Sequence, residues 1–473
     1  MSDALKLAAK HASAGKPEEA VNICRKILEQ FPNDARIYYA LGVGLAASGK
    51  PEQAIAAYRA GIRLNPNSFE IRLNLGSVLG SVGRSEEAIA ELSEASRLRP
   101  DAAEVYVNLS NALRDSWSID QAIAAGEKAV GLKPSLAEAH LCLGAALACK
   151  GQFDRAKAAY RDAIRIRPEY PAAHLNLALA ELVTRNLRQG WPEYEWRKRC
   201  ATALQPRHFS QPAWNGEDLG GKTILLYAEQ GFGDAIHFIR YVPMVAEMGG
   251  KIVLECQPVL VRLFGNVPDV ERIVPTGQAL GQFDLHCALP SLPLMFKTTL
   301  DSIPAEISYL EAEPEAVKSW RARIDRTGKH LQIGLAWAGS ADNRNDRNRS
   351  IPLAKFSPLA DPDRLRFHSL QITPPPANAG VSVIDWSGEL KDFADTAALI
   401  ANLDLIISVD TAVAHLAGAM GKKVWLLLPF PPDWRWLLDR SDSPWYPSIR
   451  LFRQETPGDW DDVVRRLSIA DQF

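Results

Sequence analysis

Apolar residues in the first 200 positions recur with the period of an amphipathic helix, and the whole pattern repeats every 34 residues. Each unit carries a Leu before a small residue, then an Ala, then a Pro. The repeated positions are Leu7, Leu41, Leu75, Leu109, Leu143 and Leu177; Ala20, Ala54, Ala88, Ala122 and Ala156; and Pro32, Pro66, Pro100, Pro134 and Pro168. Small residues let two helices approach, and each Pro ends the second helix. Because one such pair cannot bury its apolar face alone, the pattern predicts a stacked α-solenoid.

A 34-residue unit with these marks resembles the tetratricopeptide repeat, with five full units over residues 1–170 and an altered sixth over 171–200. A Gly marks the turn inside most units, at Gly15, Gly49, Gly83 and Gly151. In the fourth unit Trp117 replaces this Gly, and Gly126 stands where other units have Tyr58 or Tyr160. The resemblance implies a concave surface for an extended peptide or a partner protein.

Three asparagines occupy the same position of their units, one residue before the repeated Leu: Asn74, Asn108 and Asn176. An Asn amide can donate to and accept from a peptide backbone at once. Protein O-GlcNAc transferases, which this pattern resembles, hold substrate backbone with a ladder of Asn at the like position. Those three are therefore candidate peptide-binding residues. The alternative is that Asn is simply common at this repeat position, and Ala40 and Cys142 interrupt the ladder.

From about Phe209 onward, short apolar and β-branched runs alternate with helical stretches. The predicted strands are Lys222–Ala228, Lys251–Cys256, Arg272–Val274, Asp284–Ala288, Leu331–Trp337, Arg366–Leu370, Val381–Ile384, Leu405–Val409 and Val424–Leu428. Continuous apolar strands alternating with helices indicate parallel sheets covered on both faces. The chain is therefore predicted to divide into a solenoid over 1–200 and two Rossmann-like lobes over 201–315 and 316–473.

The first predicted strand of lobe one runs into a turn with Gly231 and Gly233, followed by Asp234 and a helix. A Gly-rich turn at a strand end opens space for a ligand beside a helix N-terminus. No Gly-Lys-Ser/Thr follows, and Ile236 replaces the third Gly of a dinucleotide fingerprint. A carboxylate at Asp234 could take a proton from an attacking hydroxyl. The alternative is an N-terminal helix cap.

In lobe two, the strand Leu405–Val409 ends in Asp410, Thr411 and Ala412, and His415 follows one turn later. A helix that begins near Thr411 would direct free backbone N–H groups at the strand end, which suits a pyrophosphate. Asp410 and His415 flank that position. A structural role for the histidine is the alternative.

Further candidate donor-binding residues lie upstream in the same lobe. Gly339 and Ser340 follow one strand, and Gln371 follows the next, from where it could reach a base or a phosphate. Between them, Arg347 and Arg349 could clamp phosphate oxygens in a bidentate manner. The alternative for the arginines is a solvated charged loop.

Charge and cysteine usage exclude several classes of protein. Lys+Arg 54 against Asp+Glu 56 gives a net charge of −2, which disfavours nucleic-acid binding. No apolar run approaches the roughly 20 residues that span a bilayer. Six cysteines without paired spacing indicate reduced thiols in a cytoplasm. No zinc or serine-hydrolase motif occurs, and Asp361-Pro362-Asp363 lies in a polar loop, so no metal or other cofactor is expected.

The Gly231–Asp234 turn and the Asp-Thr-x-x-x-His-Leu-Ala stretch beginning at Asp410 resemble the ADP-heptose heptosyltransferase family. That family has the two-lobed GT-B fold and needs no metal. The resemblance implies that Asp234 is the base and that Asp410, Thr411 and His415 contact the donor phosphates. Arg349 is the counterpart of its donor-contacting basic residue. This chain has Ala412 where the family has Gly.

Over nearly its whole length, the chain resembles bacterial proteins that join tetratricopeptide repeats to a heptosyltransferase-like module. Some members are flagellin glycosyltransferases, whose repeats bind flagellin while the catalytic part adds a nonulosonic acid. The resemblance implies a metal-independent transferase that uses a nucleotide-sugar and a protein acceptor. Two alternatives stay open: a surface-polysaccharide glycosyltransferase, and a non-catalytic repeat scaffold.

Overall fold

The computed structural model describes residues 2–200, 207–306, 308–324, 330–340, 345–377 and 379–467. These residues form two compact units, one ending at Leu177 and the other beginning at Ala178. The predicted fold class is confirmed: stacked tetratricopeptide helices are followed by two α/β lobes with parallel sheets. The domain boundaries expected at 200 and 315 stay predictions.

The first unit consists of antiparallel helix pairs. Its helices are α1 (Ser2–Ser13), α2 (Pro17–Gln30), α3 (Ala35–Ala47), α4 (Pro51–Leu64), α5 (Phe69–Ser81), α6 (Ser85–Leu98), α7 (Ala103–Asp115), α8 (Ile119–Leu132), α9 (Ala137–Cys149) and α10 (Phe153–Ile166), and α11 (Pro171–Val183) runs across its boundary. The turn glycines all have positive φ: Gly15 +74°, Gly49 +70°, Gly83 +79° and Gly151 +80°. Trp117 adopts the same left-handed conformation at φ +62°, although it carries a Cβ. The turn geometry of the fourth unit is therefore kept despite its different residue.

Residue size is matched across each helix pair. A Cβ added at Gly76 would lie 2.5 Å from Leu92 Cγ, and one at Gly144 would lie 2.5 Å from Tyr160 Cε1. The fourth unit differs, because Gly126 stands where other units have a large residue and a Cβ added there would lie 3.0 Å from Leu143 Cα. On the facing helix, the Ser110 hydroxyl donates to the Ala122 carbonyl at 2.8 Å. The small residue at position 126 thus lets α9 of the next unit approach closely.

We expect Gly144→Ala to lower the free energy of unfolding of the repeat unit by about 1–3 kcal/mol, because the new methyl group would overlap the Tyr160 ring. Urea unfolding followed by far-ultraviolet circular dichroism measures this. Gly131→Ala is the matched control, since a Cβ there meets nothing within 4 Å and Ala favours a helix more than Gly. Equal urea midpoints for Gly144→Ala and the wild type would contradict the size-matching argument.

Ion pairs connect successive units at regular sequence separations. An acidic side chain and a Lys or Arg about one repeat away form each pair: Glu18–Lys50, Glu52–Arg84, Arg59–Glu87, Glu70–Arg99, Glu104–Lys133, Asp120–Lys150, Glu127–Arg155 and Glu138–Arg167. Most of these side chains are exposed, so solvent screens the pairs and each adds little to stability. The pairs therefore fix the register between units more than they stabilise the stack.

The first sheet of the second unit has four parallel strands in the order β3-β2-β1-β4. The strands are β1 (Thr223–Tyr227), β2 (Lys251–Cys256), β3 (Val270–Pro275) and β4 (Leu285–Ala288). Each lies within a residue or two of the run predicted for it. The central strands β1 and β2 are almost wholly buried, which is why they are continuous apolar runs.

The second sheet has six parallel strands in the order β10-β9-β8-β5-β6-β7. The strands are β5 (Leu331–Ala336), β6 (Leu365–Ser369), β7 (Val383–Ile384), β8 (Leu405–Val409), β9 (Val424–Leu428) and β10 (Ile449–Arg453). The sequence pattern missed β10. Its charged Arg450 is exposed and interrupts the apolar run, as suits an edge strand.

Helices connect the strands and cover the sheets. They are α12 (Leu187–Tyr194), α13 (Phe232–Phe238), α14 (Val242–Glu247), α15 (Val261–Phe264), α16 (Leu292–Met295), α17 (Pro314–Arg321), α18 (Asp346–Arg349), α19 (Phe393–Ala401), α20 (Ala412–Ala419) and α21 (Trp460–Arg465). Among the helices of the described ranges, none has the length and apolar character to cross a membrane. The order places α13 directly after β1 and α20 directly after β8, at the carboxyl ends of central strands.

Candidate functional site

The first turns of α13 and α20 contact each other between the two lobes. A Cβ added at Gly233 would lie 2.9 Å from His415 Cδ2 and 3.4 Å from Ala412 Cα. A side chain at position 233 would push these turns apart, so Gly233 permits the close approach. The structure therefore brings the Gly-rich turn of lobe one against the Asp410–His415 stretch of lobe two.

Asp234 lies in the first turn of α13 with both carboxylate oxygens bonded. The Gly231 N–H donates to Oδ2 at 3.0 Å, and Arg435 Nη2 donates to Oδ1. The side chain is 24% exposed. Burial raises the pKa of Asp234 above its ordinary value, while the Arg435 charge opposes that shift. Asp234 therefore caps α13 and also faces lobe two, so its capping interaction does not exclude a chemical role.

Arg435 joins the carboxylates of the two lobes. Its Nη1 donates to Asp433 Oδ1 at 2.9 Å, and its Nη2 binds Asp234. The guanidinium is buried and lies 4.3 Å from the centroid of the Trp434 ring. Arg435 was not among the residues predicted from the sequence. The available signal was an Asp-Trp-Arg-Trp segment directly after a buried strand, where a charged side chain needs a buried partner.

Asp410 and Arg349 meet at the start of α20. Arg349 Nη1 donates to the Asp410 carbonyl at 3.0 Å, and its Nε donates to Asp346 Oδ1 at 3.2 Å. Burial, together with the negative charge of Asp433, raises the pKa of Asp410 to about 7 against the opposing charges of Arg435 and Arg349. Arg349 thus lies beside the first turn of α20, and its role as a phosphate ligand stays a prediction.

The other candidate donor-binding residues of lobe two lie in different environments. Gly339 N–H donates to Ser350 Oγ at 3.0 Å, close to Asp346 and Arg349, and the Ala338 N–H donates to Gln371 Oε1 at 3.2 Å. The side-chain amide oxygen of Gln371 therefore links the segment after β6 to the segment after β5. Two further candidates, Ser340 and Arg347, are exposed.

His415 is buried beside this group. Its Nδ1 lies 2.8 Å from Tyr446 Oη, and its Nε2 lies 3.9 Å from Asp410 Oδ1. The ring stacks on Trp436 with 5.3 Å between centroids. Burial lowers the pKa of His415 well below its ordinary value, and the charges of nearby arginines add to the shift. The imidazole is neutral at physiological pH. Thr411, at the N-cap position of α20, has its hydroxyl 3.4 Å from Ser408 Oγ.

The end of α12 and the 3₁₀ turn after it anchor the loop that leads to Asp234. The buried Arg197 guanidinium donates to Glu229 Oε2 at 2.8 Å, and the Tyr194 hydroxyl donates to Gln230 Oε1 at 3.1 Å. They position the Gly231 turn from outside the sheet.

Arg262 of α15 forms an exposed contact between the lobes. It lies 3.1 Å from Asp392 Oδ2 and 2.6 Å from Asp395 Oδ1. Nearby, the Phe232 and Phe393 rings meet edge to face at 5.4 Å. These contacts hold the rim of the cleft together.

Arg262→Gln is expected to lower the free energy of unfolding of the α/β part by no more than about 1 kcal/mol, because the pair is exposed and screened. Urea unfolding followed by tryptophan fluorescence checks this at low and high salt. The difference from the wild type should shrink at high salt. A larger, salt-independent loss would show that Arg262 has a packing role that its ion pairs do not explain.

The candidate peptide-binding asparagines lie on α5, α7 and α11 and are partly buried. Asn74 Nδ2 donates to the Glu70 carbonyl at 2.8 Å, which uses one of its donors within its own helix. Its carbonyl oxygen can still accept from a peptide N–H. Across the described ranges, no three His, Cys, Asp or Glu side chains are grouped so that they could hold a metal ion.

Comparison with known families matches both halves of the chain. Residues 44–83 match a TPR repeat, residues 73–137 and 137–170 match the tetratricopeptide repeat, and residues 388–427 match glycosyltransferase family 9 (heptosyltransferase). The last match includes Asp410, Thr411, Ala412 and His415. The prediction of tetratricopeptide repeats joined to a heptosyltransferase-like glycosyltransferase domain is confirmed.

A curated relative is Protein FlbA of Caulobacter vibrioides, 29% identical over 311 residues. The match covers 60% of this chain and 52% of that protein, so the chain spans about half the length of its curated relative. Similar solved structures include MamA from Desulfovibrio magneticus RS-1, at 25% identity and TM-score 0.32, covering 35% of this chain and 96% of that one. Another is pilF of Pseudomonas aeruginosa, at 23% identity and TM-score 0.38, covering 42% and 91%.

Proposed function

We propose that this chain is a metal-independent glycosyltransferase that moves a sugar from a nucleotide-activated donor to a hydroxyl group of a protein bound by the repeats. The observation that carries the proposal is the meeting of Asp234 with the Asp410–His415 turn between two parallel sheets. Ligands of such α/β folds bind at the carboxyl ends of the strands. A base and an anion site thus face one cleft.

The donor would bind with its phosphates at the start of α20. The free N–H groups of that first turn and the Arg349 guanidinium would bind the phosphate oxygens. These groups would also stabilise the negative charge that develops on the leaving nucleotide as the bond to the anomeric carbon breaks. Ala412 adds one methyl group where the family has Gly, so the phosphates would contact backbone on the side away from that methyl.

The acceptor hydroxyl would enter from lobe one. Asp234 would take its proton while the oxygen attacks the anomeric carbon, so the new C–O bond forms as the bond to the nucleotide phosphate breaks. Burial makes this carboxylate a stronger base than an exposed aspartate, and Arg435 keeps it ionised and oriented. Each carboxylate oxygen keeps a second lone pair for the acceptor.

The acceptor that the whole-chain resemblance favours is flagellin, with a nonulosonic acid as the transferred sugar. The repeats, including Asn74, Asn108 and Asn176, would hold the acceptor segment in extended form. Intact-mass analysis of flagellin from cells with and without the gene tests this. Loss of a sugar-sized mass in the deletion strain supports the proposal.

Unchanged flagellin together with an altered surface polysaccharide would favour the polysaccharide transferase. Purified protein that binds a nucleotide yet never turns over would favour the scaffold.

A further inference from the structure

Two buried histidines, one from each lobe, bind the same hydroxyl group. His237 Nδ1 of α13 lies 3.0 Å from Tyr446 Oη, and His415 Nδ1 of α20 lies 2.8 Å from the same oxygen. The two imidazole centroids are 5.6 Å apart. His237 and Tyr446 are almost completely buried. This arrangement constrains where the protons lie.

Both imidazoles are neutral. Burial lowers the pKa of His237 and of His415 well below the ordinary value, and the positive charges of Arg240 and Arg435 lower both further. A neutral imidazole carries a proton on only one of its two ring nitrogens. Each histidine can therefore offer one N–H and one bare lone pair.

The Tyr446 hydroxyl has a single hydrogen, so it can donate to only one of the two Nδ1 atoms. The other Nδ1 must carry a hydrogen and donate to Tyr446 Oη. Tyr309 lies nearby, but its hydroxyl donates to the Ile236 carbonyl at 3.0 Å and accepts from Arg240 Nη2 at 2.9 Å. Tyr309 Oη also lies 3.4 Å from Tyr446 Oη with Tyr309 as the donor, so Tyr309 takes no hydrogen from Tyr446. One histidine must be the Nδ1–H tautomer and the other the Nε2–H tautomer.

The surroundings of the two Nε2 atoms show which histidine has which tautomer. His237 Nε2 is buried, and in the described part of the chain it has no hydrogen-bond partner. A buried N–H without a partner is rarer than a buried acceptor without one, so His237 Nε2 carries the lone pair. His415 Nε2 lies 3.9 Å from Asp410 Oδ1, and once Asp410 is ionised, above its pKa of about 7, its charge attracts an N–H there and repels a lone pair. His237 is therefore the Nδ1–H tautomer, and His415 is the Nε2–H tautomer.

We infer that His237 and Tyr446 fix His415 as the Nε2–H tautomer, so that His415 offers a neutral hydrogen-bond donor to the sugar-donor phosphate at the start of α20. His237 Nδ1–H donates to Tyr446 Oη, and the Tyr446 hydroxyl donates to His415 Nδ1. The phosphate contact rests on the proposed function. His415 would touch the phosphate, whereas His237 and Tyr446 are positioning residues. With Nε2 already protonated, His415 cannot serve there as a general base.

The tautomers can be observed directly by NMR of the full chain carrying isotopically labelled histidine, through the couplings between ring nitrogens and protons. His237 should show Nδ1–H, and His415 should show Nε2–H. In Tyr446→Phe the signals of His415 should become those of a tautomer mixture. Tyr309→Phe is the control, since Tyr309 takes no hydrogen from Tyr446, and it should leave both patterns unchanged. His415 observed as Nδ1–H, or as doubly protonated at neutral pH, would overturn the assignment.

A binding experiment tests the role of the tautomer, with ADP, CDP, GDP and UDP as the probes. A Gln amide can place its N–H near the position of Nε2, whereas an Asn amide reaches only the position of Nδ1. We therefore expect His415→Gln to keep nucleotide affinity within a few-fold. His415→Asn and Tyr446→Phe should each weaken it about tenfold, the loss of one hydrogen bond to a charged group.

Equal losses in His415→Gln and His415→Asn would overturn the tautomer role, because a merely structural histidine would not distinguish them. If the wild-type chain binds none of the four nucleotides, the donor site proposed above fails. The NMR pattern then decides the tautomer assignment by itself. The two failures are therefore distinguishable.

Discussion

Replacing Asp234 by Asn is expected to slow sugar transfer by about 10²–10⁴-fold, the usual contribution of a general base. Asn keeps the size of the side chain and can still accept a hydrogen bond, but it cannot take the proton of the acceptor hydroxyl. The nucleotide site at α20 does not depend on that proton, so nucleotide affinity should change little. Intact-mass measurement of the acceptor over time, with calorimetric nucleotide binding beside it, checks both parts.

Asp433→Asn is the matched control for this substitution. Asp433 binds the same Arg435 guanidinium through Nη1, so its loss disturbs the charge balance of that arginine similarly. If the effect of Asp234→Asn came only from releasing Arg435, the two variants would be slowed equally. A transfer rate in Asp234→Asn within about tenfold of the wild type would remove Asp234 from the role of base.

The parts of this molecule that could be predicted from the sequence are those whose signal is local. The 34-residue period follows from helix packing within and between neighbouring units. The strands of the parallel sheets are continuous apolar runs because both faces are covered. The region of Asp234 and Asp410 could be predicted because Asp410 directly follows a central strand and Asp234 begins the helix after another, at the edge where the fold puts ligands.

The partners of those residues could not be predicted, because they come from distant parts of the chain. Arg435 meets Asp234 across 201 positions, and Tyr446 meets His237 across 209. The local Asp-Trp-Arg-Trp pattern suggests that Arg435 is buried, but it does not show which carboxylates Arg435 binds. Only the packing of one lobe on the other shows that the charge of Arg435 balances a carboxylate from each lobe.

The fourth repeat is an intermediate case. Gly126 looked like a lost aromatic residue when its unit was compared with the others. The structure shows that α9 of the next unit comes close at this position, since a Cβ added at Gly126 would lie 3.0 Å from Leu143 Cα. Comparing the fourth unit with the others could not predict this contact, because Leu143 belongs to the next unit.

Asp410→Asn should stabilise the α/β part at high pH and progressively less at low pH. A pKa raised in the folded state means that the folded protein binds this proton more tightly than the unfolded chain does. The stability contributed by that proton is therefore present at low pH and is lost as the pH rises from about 4 towards 7. The shift from 3.8 to about 7 corresponds to about 4 kcal/mol.

Of that amount, about 3 kcal/mol should appear between pH 4.5 and pH 8 as a growing stability difference between Asp410→Asn and the wild type. Urea unfolding followed by tryptophan fluorescence measures it, because nine of the 12 tryptophans lie at Trp214 or later. Asp301→Asn is the control for an exposed carboxylate, and it should show no comparable pH-dependent difference. A stability difference that does not vary with pH would contradict the buried, charge-crowded environment of Asp410.

If Asp410→Asn is more stable and also binds nucleotide less well, the carboxylate is retained for function against its cost to folding. Natural sites often keep such unfavourable groups where ligand binding requires them. The charged or titratable groups that face Asp410 are Asp433, Arg435, Arg349 and His415, and they come from three separate segments of lobe two. A carboxylate in that position would orient His415 Nε2–H and the Arg349 guanidinium before a phosphate arrives. Greater stability without loss of nucleotide binding would instead assign that orientation to Tyr446 and the backbone of α20.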